Sequence, residues 1–136
     1  MNGEALQEAA RQRAQNLPGA TLYTFEEGWQ AARVHTKWFM LMTRVPQHPR
    51  ARDARAVAGQ PVVIVKAEPN DATALREAHA DITTGYHMNK KHWITLGPGD
   101  SISEELVDEL VTDSYRLVLE TLPRAHRPAD PDDLSA

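Results

Sequence analysis

Apolar positions along the chain switch between a helical and a strand period, and those switches predict its elements. Over Glu4–Asn16, Leu6, Ala9, Ala10 and Arg13 fall on one side and Leu17 closes the stripe, which predicts an amphipathic helix. Asn2 is placed to cap it and Leu17-Pro18-Gly19 to stop it, and the alanines on its inner side predict a close approach to whatever it covers. Thr21–Phe25 is short and β-prone, and Gly28 breaks it. Trp29–Val34 and Trp38–Val45 predict a hairpin turning at His35-Thr36-Lys37, without the Asn-Gly or Asp-Gly pair that signals a type I′ turn. In Trp38-Phe39-Met40-Leu41-Met42 nearly every side chain is apolar, so either both faces of this strand are covered or one meets a partner. Core packing is the reading for Phe39 and Leu41.

Pro46–Gln60 reads as a loop carrying His48-Pro49-Arg50-Ala51-Arg52-Asp53-Ala54-Arg55, and loops of that length in small domains are functional or mobile. Pro61–Lys66 is β-branched and continuously apolar, which suits a central strand. Pro69 opens a short helix at its first position, with Leu75, Ala78 and Ile82 on its apolar side. His92–Leu96 is a further strand, ended by Gly97-Pro98-Gly99. Ser101 or Ser103 caps the last helix, Ser101 having capping-box spacing to Glu104, and Glu104, Glu105 and Asp108 suit a helix N-terminus. Leu106, Val107, Leu110, Val111, Leu117, Val118 and Leu122 give that helix a wide apolar face, and Pro123 ends it. Residues 124–136 read as a disordered acidic tail. The order predicts one α+β domain over residues 1–123, an antiparallel sheet with the helices on one face.

Composition narrows the function classes. The 136 residues are 41% hydrophobic and 25% charged, ordinary for a globular domain. No stretch approaches the 18 or so apolar residues of a membrane span, and Met1–Arg13 is polar, so no membrane association or secretory signal is expected. The absence of cysteine excludes disulfides, thiolate metal sites and thiol nucleophiles, and fits a cytoplasmic location. The net charge of −4 is unevenly spread: between Gln30 and Lys66, Arg33, Lys37, Arg44, Arg50, Arg52, Arg55 and Lys66 face one acid, Asp53. That window is +6, which leaves −10 for the rest. Either a locally basic face results, or the opposite charges pair across the fold.

The densest chemistry is Gly85-Tyr86-His87-Met88-Asn89-Lys90-Lys91-His92-Trp93, in the connection before the last predicted strand. Cations for phosphates and aromatic or amide groups for bases are what nucleic-acid binding requires. Asn89, Lys90, Lys91, His87, His92 and Trp93 supply both, and Arg50, Arg52 and Arg55 supply a second, flexible phosphate-contacting arm. The plainer alternative has Tyr86, Met88 and Trp93 anchoring the connection in the core, with the lysines solvated. No catalytic set is visible: there is no glycine-rich phosphate loop and no Gly-x-Ser-x-Gly elbow, and Ser114 beside Asp113 and Tyr115 reads as a helix-packing position. His35, His48, His79 and His126 have no motif around them, and the spacing of His87 and His92 is not a familiar metal pair. Neither an enzyme nor a bound metal is expected. A second class of function is a protein-interaction module, in which Trp29, Trp38 and the hairpin present an apolar patch to a partner or a second copy.

The Gly85–Trp93 stretch resembles the signature of the MmcQ/YjbR family. Other segments agree in order: Leu17-Pro18-Gly19, Lys37 before an apolar strand, Lys66-Ala67-Glu68-Pro69, Asp113-Ser114-Tyr115 and Leu122-Pro123. The resemblance spans about Leu6 to Pro123 and departs at the hairpin turn, where the family has paired glycines and this chain has His35-Thr36. It implies a frataxin-like (CyaY-like) sandwich and a "double wing" DNA-binding role that rests on analogy of fold. It adds Lys37 to the candidate contacts and DNA to the candidate partners. It implies no activity or cofactor; a frataxin-like fold suggests iron at Glu104, Glu105, Asp108 and Glu109, which a helix N-terminus also explains.

Overall fold

The β-branched run Pro61–Lys66 lies inside the sheet, and its side chains divide between two cores. Val63 and Val65 enter one and Val62 and Ile64 the other, as alternate residues of a strand must. A computed structural model describes residues 1–128. The elements are α1 (Gly3–Gln15), β1 (Ala20–Glu26), β2 (Trp29–Val34), β3 (Lys37–Arg44), β4 (Pro61–Lys66), α2 (Pro69–Ala78), β5 (Ile82–Thr84), β6 (Trp93–Leu96) and α3 (Glu104–Glu120), with 3₁₀ turns at Arg52–Val57 and Arg124–His126. The six strands form one sheet in the order β1-β2-β3-β4-β6-β5, and every neighbouring pair is antiparallel. The α+β class, the antiparallel sheet and the helices on one face are as the sequence predicts.

Helices α1 and α3 cover the first face. Ala10 and Ala14 of α1 are fully buried, so α1 does lie close to what it covers, and Arg13 Nε donates to Thr112 Oγ1 of α3 at 2.7 Å. Asn2 caps α1 through its carbonyl oxygen, 2.7 Å from the Ala5 amide. Glu68 caps α2 by accepting from the Asn70 and Asp71 amides, with Pro69 at the first helical position. For α3 the cap is Ser103, whose hydroxyl accepts from the Leu106 amide at 3.1 Å. Ser101 forms no capping box because its hydroxyl donates to Asp81 Oδ2 at 2.6 Å.

One hydroxyl ties α3 to the sheet. The β3–β4 ladder pairs Met40 with Val65 and goes no further toward Phe39 and Lys66. There, Ser114 Oγ accepts from the Lys66 amide at 2.8 Å and donates to the Phe39 carbonyl at 2.6 Å. Ser114 is wholly buried, and it occupies the place of the next ladder bond. Beside it, Tyr115 packs edge-on to Phe39, with centroids 5.4 Å apart, and donates to the Pro18 carbonyl at 2.6 Å. The Asp113-Ser114-Tyr115 segment is therefore a structural joint.

Three expectations need correcting. Ile82 does not extend α2: the helix ends at Ala78, and Ile82 pairs with Leu96 as the first residue of β5. The chain leaves the helix because His79 Nδ1 lies 2.8 Å from the Ser101 carbonyl and Asp81 binds Ser101 through both backbone and side chain. The 46–60 segment is not a flexible arm. Its base is closed by Val45 N to Gln60 O at 2.9 Å and Gly59 N to Pro46 O at 3.1 Å, and its 3₁₀ turn buries Ala54 and Val57 on the second face of the sheet. Finally, residues 124–128 are folded back, because Arg127 donates to the Leu122 and Glu120 carbonyls at 2.8 and 3.1 Å and so closes the end of α3. The rest of the predicted disordered tail, 129–136, lies outside the described residues.

Two stability predictions follow from these joints. Ser114→Ala leaves a buried amide and a buried carbonyl without partners, so urea denaturation should show a loss of about 2–4 kcal/mol. Unchanged stability would mean that water or backbone movement satisfies both groups. Asp81 is held below the ordinary carboxylate range by the Ser101 hydroxyl first, then by the Ser101 amide, with the N-terminal ammonium and His79 adding attraction. A depressed carboxyl stabilises the fold above its unfolded pKa, and that stabilisation is lost as pH falls through the lower folded value. Denaturation midpoints should thus fall below about pH 4 in the native chain. In Asp81→Ala they should start lower and depend less on pH over that range.

Candidate functional site

The eight-residue connection between β5 and β6, residues 85–92, is far longer than two adjacent antiparallel strands need, and it lies back over the second face of the sheet. Its base continues the ladder, the Gly85 amide donating to the Trp93 carbonyl at 3.0 Å. Only glycine fits there, since a Cβ on Gly85 would stand 2.6 Å from Trp93 Cβ and 2.9 Å from the Trp93 carbonyl oxygen. The Thr95 hydroxyl accepts from the Tyr86 amide at 2.8 Å and donates to the Thr84 carbonyl at 2.9 Å, which turns the chain inward at Tyr86. His87 takes a left-handed backbone, φ 60°. Asn89 then closes the return: its side-chain oxygen accepts from the Lys91 and His92 amides at 2.9 and 3.2 Å, and its carbonyl accepts from the Trp93 amide at 3.0 Å.

Two cations of this face are held differently. Lys90 Nζ donates to the Gly85 carbonyl and lies 3.8 Å from Asp53 Oδ2, while Thr84 Oγ1 donates to the same carboxylate. Asp53, the one acid of the basic window, is thereby a staple between the 46–60 segment and the connection. Its pKa is held below the usual range chiefly by the Thr84 hydroxyl, which outweighs the opposing effect of burial, with attraction to Lys90 adding a lesser lowering. Arg50 is exposed and, with His48, faces Tyr86, His87 and Lys90 across a cavity of ≈ 470 Å³.

Adjoining it is an aromatic surface. Trp29 stacks parallel on Tyr86, centroids 5.9 Å apart and planes 5° apart. His87 stands edge-on to both, at 5.5 Å from Trp29 and 4.3 Å from Tyr86. Phe25 touches Trp29 at 6.0 Å and Trp38 at 4.7 Å. The Trp38 indole N–H is taken by Tyr23 Oη at 2.6 Å, so Trp38 offers the cleft only its ring. Phe25, Trp29, Trp38, His87 and Met88 line a cleft of ≈ 300 Å³, and Glu26 lines it too. Phe25 is 36% exposed, the one large hydrophobic side chain at that level among the described residues. Burial raises the Tyr86 phenol pKa, which keeps its proton at neutral pH.

Of the residues singled out in the sequence, His87, Lys90 and Arg50 are brought together around one cavity. Asn89 is not free to read a base, since its side-chain oxygen organises the turn. Trp93 packs against the second core. Lys91 and His92 are exposed on the return and do not line the cavity, and Arg52 and Arg55 are exposed on the 3₁₀ turn. Lys37 is exposed at the start of β3, paired with Val34 beside the hairpin turn, and lines neither cleft. Phe25 and His48 join the site without having been singled out; an isolated phenylalanine in a short strand and a histidine in a loop carry no signal until the fold sets them beside the connection. A separate groove between α2 and α3, ≈ 280 Å³, mixes Lys66 and Arg116 with Glu68, Asp71, Asp113 and Glu120. Burial, then repulsion from Glu109, raises the Asp113 pKa there. Among the described residues no group of three or more His, Asp or Glu side chains converges to hold a metal ion, Glu104, Glu105, Asp108 and Glu109 included. No described helix is long and apolar enough to cross a membrane.

Comparison with known proteins places this architecture. The chain is 32% identical over 125 residues to an uncharacterised Escherichia coli O157:H7 protein, YbdF, covering 91% of this chain and 93% of that protein. It is 31% identical over 94 residues to uncharacterised Escherichia coli K12 YjbR, covering 69% and 79% respectively. The crystal structure of the Deinococcus radiodurans protein DR2400, with its DUF419 domain, superposes with a TM-score of 0.69 at 24% identity, over 85% of this chain and 80% of that one. A Pseudomonas syringae protein superposes with a TM-score of 0.66 at 23% identity, over 86% and 98%; these two likenesses concern fold alone. The model of the YjbR family matches residues 15–117, from the end of α1 into α3, and the chain belongs to that family.

Proposed function

We propose that the protein binds nucleic acid without catalysing a reaction on it, using the face formed by the Gly85–Trp93 connection, the 46–60 segment and the β1–β3 strands. The observation that carries this reading is the juxtaposition of a cationic cavity and an aromatic cleft that share His87. Phosphates are attracted by Arg50, Lys90 and the nearby Lys91, and bases by ring faces, and the two needs are met side by side. Lys90 and Asn89 also serve the fold, so Arg50 and Lys91, which have no ion pair among the described residues, carry most of the attraction. Asp53 offsets part of the charge of Lys90, which limits the expected affinity to the micromolar range at low salt.

The test is fluorescence anisotropy with random duplex and single-stranded DNA over a salt series. Binding should weaken steeply as salt rises. Arg50→Ala combined with Lys91→Ala should weaken it several-fold and reduce the slope of log K against log salt by about 2, one per lost phosphate contact. Neither side chain supports the fold, as the Asn89 contact is to the Lys91 backbone. No binding at about 50 mM salt, or an unaltered slope in the double variant, would contradict the reading.

A further inference from the structure

We infer that the aromatic cleft is a stacking site for an unpaired base, so that the ligand class is single-stranded nucleic acid and not duplex. The inference rests on the nucleic-acid reading above and goes further, by dividing the face into a base subsite and a phosphate subsite. The base subsite is Phe25, Trp29 and Trp38 with His87 at its inner end. The Trp38 N–H is already bonded, and Phe25, Leu41 and Met88 are apolar, so the side-chain polar atoms of the lining are those of the Trp29 indole, the His87 ring and Glu26. What it offers a ligand is therefore chiefly stacking, which is tolerant of base identity. The cleft is open along one side and of ≈ 300 Å³, near the lower limit of ligand-sized sites, and suits a flat ring laid against a wall better than an enclosed metabolite.

Charge fixes the orientation. Glu26 lines the aromatic cleft and repels phosphate from it. Arg50 and Lys90 line the adjoining cavity, which shares His87 with the cleft, and attract phosphate. A nucleotide lying across His87 with its base toward Phe25 and its phosphate toward Arg50 satisfies both ends. Bases stacked inside a duplex present no free ring face, so the aromatic subsite can contribute only when a base is unpaired. A protein partner would find the same exposed Phe25, but cations in the adjoining cavity and an acid in the cleft itself complement a nucleotide better than an apolar patch.

The experiment titrates the protein with a single-stranded 12-mer, the same 12-mer as duplex, and a 12-mer of the same charge lacking bases, following anisotropy and tryptophan fluorescence. Single-stranded DNA should bind about ten-fold or more tightly than duplex and quench tryptophan emission, while the base-free strand should bind no better than duplex. Phe25→Ala, which removes an exposed side chain, should cut single-strand affinity about ten-fold and leave duplex affinity unchanged. Duplex or base-free strand binding as well as the intact strand, or an unchanged affinity in Phe25→Ala, would overturn the stacking site and leave nucleic-acid binding standing. Absence of binding to all three strands would overturn both. A stable dimer by light scattering that Phe25→Ala dissolves would overturn the stacking site as well, by assigning that surface to a second copy.

Discussion

The close approach of Gly85 to Trp93 is the constraint on which the candidate face depends. With no side chain at 85, the chain turns off the end of β5 against Trp93 and carries Tyr86 and His87 back to Trp29 on β2. A Cβ there would push the connection off the sheet, and with it the stacked Trp29–Tyr86 pair that separates the two cavities. The 46–60 segment is held to that connection by the Asp53–Lys90 pair and to β5 by Thr84, and the connection's own return is closed by Asn89. The energy of each polar tie is small, since the groups are partly exposed. The arrangement persists because buried apolar contacts of Ala54, Val57 and Tyr86 with Val62 and Ile64 lie beneath it.

The sheet is thus covered twice, by different means. Helices cover one face with a continuous apolar core from Leu6 to Leu122. The other face is covered by two loop segments with a thinner core. Loops bear the cations Arg50, Lys90 and Lys91, and strands β1–β3 bear Phe25, Trp29 and Trp38, which a helix on that side would have buried. The division also explains why the segments that mark the family are spread along the chain. Leu17-Pro18-Gly19 meets Tyr115, Lys66 meets Ser114, and Glu68-Pro69 opens α2. These are joints of the helix-covered side, while Gly85–Trp93 builds the other.

Much of the fold was legible in the sequence. The helices, the buried β4 and the Asn2 cap follow from periodicity and capping chemistry, because those signals are local. Ile82 misled because its spacing from Ala78 and Leu75 fits a helix, whereas the chain is drawn into a strand by Ser101, a partner remote in sequence. The 46–60 segment misled because Ala54 and Val57 are too few to show a period. The site was legible only in part. Asn89, Lys90 and Lys91 are alike in being polar and adjacent, yet one is used by the turn, one is paired and one has no side-chain partner among the described residues, and only the folded backbone decides which. Trp29 and Trp38 were legible as a hairpin patch, but Phe25 is an isolated ring in a short strand, and His87 and Met88 reach the cleft only when the connection crosses the sheet.

The most direct measurement is a ¹H–¹⁵N spectrum of the protein titrated with a single-stranded oligonucleotide, including the three tryptophan indole signals. The account predicts shifts concentrated at Phe25–Trp29, Trp38, His48–Ala51 and Tyr86–Lys91, with α1 and α3 undisturbed. Shifts centred on the α1–α3 face or the α2–α3 groove, or no shifts at millimolar oligonucleotide, would contradict it.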